Sequence, residues 1–343
     1  MDNLYYVSSS PHIKDSKTTS TVMRDVIIAL IPALIGSVIF FSFRALVIVA
    51  ISVMSCVLFE FLYNLLMKKK QSVGDLSAIV SGILLGFNLP VTVPVWLPIL
   101  GSAFAILLVK MLYGGIGKNI VNPALSGRIF LFLSFSGLMT KWVPAVTALD
   151  RTAASLPLFT NVDVVSSATP LSYLKTGNIA GLHTTSVYNA FIGSIGGCIG
   201  ETSAILLIIG GVYLLYKKVI TWHIPVSFIG TVALITFLFP TTTDIPRLQF
   251  MAYNLFTGGL MLGAIFMATD YATSPITPKG RVIYGVGCGL ITVFIRYFGG
   301  YPEGVSFAIL LMNFLVWFID KNTIPTKFGG EKKYAKLFNK AKE

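Results

Sequence analysis

The sequence predicts an all-α integral membrane protein of about ten transmembrane helices, arranged as two inverted halves of five. Three observations carry that expectation. Of its 343 residues, 55% are apolar and only 12% are charged, about half the charged content of an ordinary soluble domain. The apolar residues gather into runs near the roughly 20 residues that a hydrocarbon core requires. Ten such runs occur, five on each side of one long polar interior segment. A water-soluble globule is excluded.

Residues 1–24 are polar, with Pro11, His12, Lys14, Asp15, Lys17 and Arg24, and form an N-terminal segment. No small-residue cleavage pattern follows the first apolar run, so no cleaved signal peptide is expected. The first membrane half, 25–139, holds runs at 25–43, 45–67, 76–89, 95–112 and 121–139, the third of them short. Residues 140–186 are rich in Ser, Thr, Pro, Asp and Asn and contain no run able to cross. Interior loops of this length are usually functional or disordered, which makes this the first place to look for chemistry. The second half, 187–320, holds runs at 187–216, 219–239, 250–268, 282–298 and 305–319, and a basic tail closes the chain at 321–343.

The net charge of +12 would suggest nucleic acid in a soluble protein. In a membrane protein it reflects the excess of Lys and Arg in cytoplasmic loops, and no nucleic-acid partner is expected. Ten spans put both termini on one side. If that side is the cytoplasm, the inside segments hold eighteen Lys and Arg and the outside segments five, with Lys110, Arg128 and Arg296 within or at the ends of spans. The asymmetry predicts a multi-pass protein of a prokaryotic cell membrane with both termini cytoplasmic and the 140–186 loop outside.

A faint internal repeat supports the division. The stretch from Ser81 to Phe87 echoes that from Thr257 to Gly263, and Leu112-Tyr113-Gly114-Gly115 echoes Tyr297-Phe298-Gly299-Gly300. Five spans per half is an odd number, so the second half enters from the opposite side. The alternative is that Gly-rich helix contacts look alike throughout membranes. The third run, ending at Asn88-Leu89-Pro90, and the Gly-rich start of the eighth occupy matching places, which points to a binding site between the halves near the bilayer midplane.

The outside loop contains Asp163-Val164-Val165-Ser166-Ser167-Ala168-Thr169-Pro170. This resembles the Asp-x-x-Ser/Thr-Gly-Ala-Thr signature on which a flavin transferase attaches FMN, through a phosphodiester to the terminal threonine, in the NqrB/RnfD family of ion-pumping redox complexes. The departure is Ser167 in place of Gly. Small neighbours at Ser166, Ser167 and Ala168 leave the Thr169 hydroxyl open to the transferase, and Asp163 is read as orienting that hydroxyl or holding a metal. A plain Ser/Thr-rich turn punctuated by Pro170 is the alternative.

Further stretches are similar to the same family: Tyr113 to Asn119, Asn122 to Arg128, Gly196 to Ser203, Met267 to Pro275 and Ser10-Pro11-His12. The resemblance therefore covers essentially the whole chain, with Tyr271 standing where the family often has Pro. The short N-terminal segment favours the RnfD branch, whose complex exchanges electrons between ferredoxin and NAD while moving Na+ or H+. The resemblance implies covalent FMN at Thr169, a second noncovalent flavin (riboflavin or FMN) between the halves, and partner subunits. These are a second flavinylated subunit, two small membrane subunits, and iron–sulfur and NAD-binding subunits.

Polar residues within spans are functional candidates because burying them in lipid is costly. Asn122, Arg128 and Glu201 are candidates to border a second flavin or an ion path, and Asp270 and Thr273 for a second site or partner contact. Buried pairs locking helices, or snorkelling of Glu60 and Arg296 at helix ends, are the alternatives. Cys56, Cys198 and Cys288 stand alone and His12, His183 and His223 are scattered, so no metal or iron–sulfur site is expected. There is no Gly-x-Gly-x-x-Gly or Walker loop, so nicotinamide and nucleotide chemistry are assigned to partners. No turnover is expected of the isolated chain. The rival readings are a channel or secondary transporter for a small solute or ion, and a structural anchor for the complex.

Overall fold

The computed structural model describes residues 17–143, 168–177, 182, 186–201, 203–242 and 244–325. Among these residues the chain is helical throughout, with no strand. Helix α1, Thr19–Phe41, begins ahead of the first apolar run. Thr18 and Thr21 cap it reciprocally, each side chain accepting from the other's backbone N–H, which satisfies two donors of the first turn. Its two faces differ. Ile28, Ile31, Ile35 and Ile39 form a stripe 40–56% exposed, while Ala29, Leu30, Ala33, Gly36 and Ser37 are buried. Large aliphatics toward lipid and small residues toward neighbouring helices is the division expected in a bilayer.

Ser42, at φ +66°, makes a one-residue turn into α2, Phe43–Leu66. Then come α3, Ser77–Phe87; α4, Trp96–Ala103, continued by a π-helical stretch Phe104–Met111; α5, Pro123–Ser134; and the single turn α6, Ser136–Met139. Helices α7, Pro170–Thr176, and α8, Val187–Ile192, precede the second half. That half comprises α9, Ala204–Tyr216; α10, His223–Leu238; α11, Arg247–Phe256; α12, Leu260–Leu262, continued by a π-helical Gly263–Met267; α13, Pro278–Phe298; and α14, Val305–Thr323.

These elements account for the ten runs. Helices α1, α2, α13 and α14 are each long and apolar enough to cross a membrane. Helix α11 and the segment Leu260–Met267 are together long and apolar enough for one span and meet at a bend of 61°, and shorter apolar helices of 10–17 residues, Ser77–Phe87, Trp96–Met111, Pro123–Ser134, Ala204–Tyr216 and His223–Leu238, occupy the other runs. The run at 187–216 is not one long helix. It stops at Gly193, φ +110°, and resumes only after Ser203. Four glycines, Gly193, Gly196, Gly197 and Gly200, weaken helix more than the apolar neighbours promote it.

Hydrogen bonds sort the loops into two ends. At one end Lys17 Nζ donates to Lys217 O (3.4 Å), Ser20 Oγ to Gly74 O, Arg281 to Thr221 and Pro275, and Thr277 to Thr323. At the other end Arg44 donates to Val91 O and Val93 O, Thr92 to Lys141 O, Lys175 to Tyr301 O, and Tyr297 to Phe239 O. Helix α1 starts at the Lys17 end, whereas α9, the first span of the second half, finishes there. The halves are thus inverted relative to each other. Helix α1 packs on α9, α2 on α3, and α10 and α14 on α13.

Candidate functional site

Three interrupted segments meet inside the bundle. At the end of α3, Phe87 O accepts from Gly200 N–H at 2.9 Å and Leu89 O from Ile199 N–H at 3.0 Å. The Cys198 thiol donates to Asn88 O at 3.3 Å. The loop that replaces helix at 193–203 therefore supplies partners for carbonyls that α3 leaves open, as backbone at membrane depth demands. The third segment is the bend between α11 and α12. Gly258 there has φ +73°, and a Cβ on Gly259 would lie 2.6 Å from Glu201 Oε1.

Arg128, on α5, bonds to the first two of these and to the start of α14, and lies against the third. Its Nη1 donates to Asn88 Oδ1 (2.7 Å), Glu201 Oε1 (2.8 Å) and Ser306 Oγ (2.8 Å), and its Nη2 to Glu303 Oε2 (2.5 Å). Arg128 and Glu201 are both buried. Two carboxylates share one guanidinium, and Glu201 Oε2 and Ser203 Oγ are buried without a hydrogen-bond partner among the described residues.

Thr169 lies beside this cluster. It lines a small crevice with Glu201, Thr257, Gly258 and Glu303. Its hydroxyl caps α7, accepting from Ser172 N–H at 3.3 Å, with Pro170 in the first turn. Thr169 is only 8% exposed, whereas the sequence suggests an open hydroxyl. The cap explains the difference, because it turns the side chain in over its own helix. Ala168 is exposed. Asp163, Ser166 and Ser167 lie outside the described residues.

The other candidates gather elsewhere. A cavity of about 480 Å³ opens at the Lys17 end, between α1, α3, the end of α9 and residues 266–272. Asn122 and Asp270 line it. Asn122 Oδ1 caps α5 by accepting from Ala124 and Leu125 N–H, while its Nδ2 donates to Met267 O. Buried Thr273 donates to Asp270 Oδ2 at 3.2 Å. Burial pushes the Asp270 carboxyl above its ordinary pKa, against the pull of bonds from Ala272 N–H and the Thr273 hydroxyl. The cavity is flanked by the two interrupted spans, as the sequence suggests, but it lies toward one end and not at the breaks themselves.

Asn122 and Arg128, six residues apart on α5, are separated by about 9 Å of helix axis, so this helix links the cavity to the Arg128 cluster. Other residues carry more than the sequence indicates. Glu60 does not snorkel. It is fully buried, bonded to Lys110 Nζ at 2.6 Å and to Ser72 Oγ at 2.5 Å, and Lys110 also donates to Ser77 Oγ. Arg296 does not snorkel either and is 5% exposed. Glu303 gives no signal in the sequence, because it sits in the Gly- and Pro-containing loop before α14, where a carboxylate reads as solvated.

A family model described as NQR2, RnfD, RnfE family matches residues 6–329. The chain belongs to this family. Three relatives, all named as the D component of such a complex, illustrate the match. That of the Na(+)-translocating ferredoxin:NAD(+) oxidoreductase complex of Acetobacterium woodii is 45% identical over 323 residues, covering 94% of this chain and 95% of the relative. That of the proton-translocating ferredoxin:NAD(+) oxidoreductase complex of Clostridium ljungdahlii is 41% identical, covering 95% and 97%. That of the ion-translocating oxidoreductase complex of Aliivibrio salmonicida is 37% identical, covering 96% and 99%. The family assignment agrees with the resemblance read from the motifs, and similarity extends over nearly the whole of each relative.

Proposed function

We propose that the chain is the membrane electron-transfer subunit of a complex that couples electron transfer between ferredoxin and NAD to translocation of Na+ or H+. It carries FMN covalently on Thr169 and a second flavin, riboflavin or FMN, in the 480 Å³ cavity. The observation that carries this reading is the position of Thr169, the terminal threonine of the acceptor motif, beside the Arg128–Glu201–Glu303 cluster. The names and coverage of the relatives support the same complex.

The residues suit those groups. When bound, the isoalloxazine supplies one- and two-electron chemistry. Thr169 Oγ offers the acceptor hydroxyl once it gives up its bond to Ser172 N–H. The cavity has the size of a small-molecule site. Its walls include Val22, Val26, Leu84 and Phe266, with Lys110, Asn119, Asn122 and Asp270 as polar groups along them. Such a mixture suits a flat ring system with one apolar and one polar edge. Lys110 is held in place by Glu60 and Ser77, and Asn122 by its bonds on α5 and at Met267.

The Lys17 end gathers the basic segments and is assigned to the cytoplasm, which puts Thr169 outside in a multi-pass protein of the cell membrane. The partners are the remaining components of the complex: the second flavinylated subunit, the two small membrane subunits, and those that bind iron–sulfur clusters and NAD. A flavin transferase acts on Thr169. The test is ultraviolet fluorescence of the denatured chain in a gel after co-expression with the transferase. The wild-type band is expected to glow and Thr169→Ala to stay dark; a dark wild-type band beside a glowing flavinylated control would refute the reading and favour a transporter, which interrupted helices also serve.

A further inference from the structure

A second cavity, about 310 Å³, lies at the opposite end from the large one, between α7, α11 and the end of α13. Among the described residues its lining includes two cations, Arg296 and Lys175, and no carboxylate. Arg296 comes from the last turn of α13 and is 5% exposed, and its Nη1 is engaged with Asn254 O at 2.5 Å and Asn254 Oδ1 at 3.4 Å. The Nε and Nη2 atoms are buried and have no hydrogen-bond partner among the described residues, and neither has Thr242 Oγ1 on the same cavity. Glu201 and Glu303, the carboxylates that bear on Arg296, are both bonded to Arg128.

Buried polar atoms are ordinarily satisfied, and an unpaired charge away from water is costly. Here a guanidinium with an unpartnered edge, a fork suited to two oxygens of one anion, belongs to a side chain that lines a cavity together with hydroxyl-bearing Thr241 and Thr242 and with Lys175. We propose that this cavity is a binding site for the phosphate group of a phosphate ester, with Arg296 as its principal contact. Tetrahedral phosphate suits donors arriving from several directions, as the two threonines, the lysine and the arginine provide. Leu171, Phe250 and Tyr297 leave apolar wall for the organic part of the ester. Two sources offer that chemistry: an ester tethered at Thr169, two residues before Leu171, or a diffusible phosphate compound. The binding site itself does not rest on the flavin reading.

The test uses the full-length chain made without a flavin transferase, purified in detergent and phosphate-free buffer, with inorganic phosphate as the probe. The unfolding midpoint of the wild type is expected to rise saturably with phosphate but not with chloride at equal ionic strength. Arg296→Met is expected to weaken the apparent affinity about tenfold or more, the loss of a charged hydrogen bond. If that variant does not fold, Thr242→Val, which keeps the guanidinium, is expected to weaken it as well. No phosphate-dependent rise in the wild type, or unchanged affinity in the variants that fold, would overturn the proposal. Repeating the titration on flavinylated protein separates the sources. A response that disappears on flavinylation and persists in Thr169→Ala identifies the tethered ester; one that persists in both identifies a diffusible phosphate.

Discussion

Arg128 holds Glu201 at 2.8 Å while its other terminal nitrogen holds Glu303 at 2.5 Å, so one side chain of α5 ties the 193–203 loop to the loop before α14. Removing it leaves two carboxylates without their cation. Arg128→Met is expected to lower stability by about 3–5 kcal/mol, read as a fall in the unfolding midpoint of the detergent-solubilised chain. Arg128→Lys is expected to recover only part of the loss, since an ammonium lacks the second branch that reaches Glu303.

Gly259 lies against the same cluster, at the bend between α11 and α12. A methyl group there meets Glu201 Oε1 at 2.6 Å and Arg128 Nη1 at 3.5 Å. Gly259→Ala is expected to cost about 1–3 kcal/mol by overpacking. Combined with Glu201→Ala, which removes the obstructing carboxylate, the cost of Gly259→Ala is expected to shrink. A double-mutant cycle on unfolding midpoints measures this coupling.

The Lys110–Glu60 pair is a second buried ion pair, linking α2 to the π-helical end of α4 beside the large cavity. Lys110→Met or Glu60→Leu alone strands a charge and is expected to cost about 3–5 kcal/mol. The two together are expected to be less damaging than either single change, because no uncompensated charge remains. Thermal unfolding of the three variants provides the check.

Asp270 gives a pH dependence with a defined sign. Burial raises its carboxyl in the folded chain above its ordinary value, so the folded state binds this proton more tightly than the unfolded state. Its contribution to stability is complete below the ordinary carboxylate range and is lost as pH rises through the raised folded value. The wild type is therefore expected to gain stability relative to Asp270→Asn on acidification from neutral pH. Unfolding midpoints of the two proteins across mildly acidic to neutral buffers give the difference directly.

The apolar helices were legible because hydropathy is set residue by residue, and lipid leaves little freedom to override it. The inverted halves were legible in the odd number of spans and in the matching interruptions at Asn88 and Gly258. What sequence could not supply was the pairing across the bundle. Arg128 and Glu201 each stood out as polar residues in apolar surroundings, yet 73 positions separate them, and their junction with Asn88 and Glu303 exists only once the broken segments meet. Glu60 and Arg296 lie near helix ends, where snorkelling is the common outcome; neighbouring elements close over both. The motif marked Thr169 but not the capping bond that turns its hydroxyl inward, because a cap depends on where α7 begins.

The most direct measurement of electron relay through Thr169 is ferredoxin-dependent NAD+ reduction by membranes whose assembled complex carries Thr169→Ala in place of the wild-type chain. The proposed relay predicts normal amounts of the variant chain in the complex, no flavin fluorescence from its band, and loss of NAD+ reduction. Full NAD+ reduction with a dark band would contradict it and leave the chain as a structural anchor.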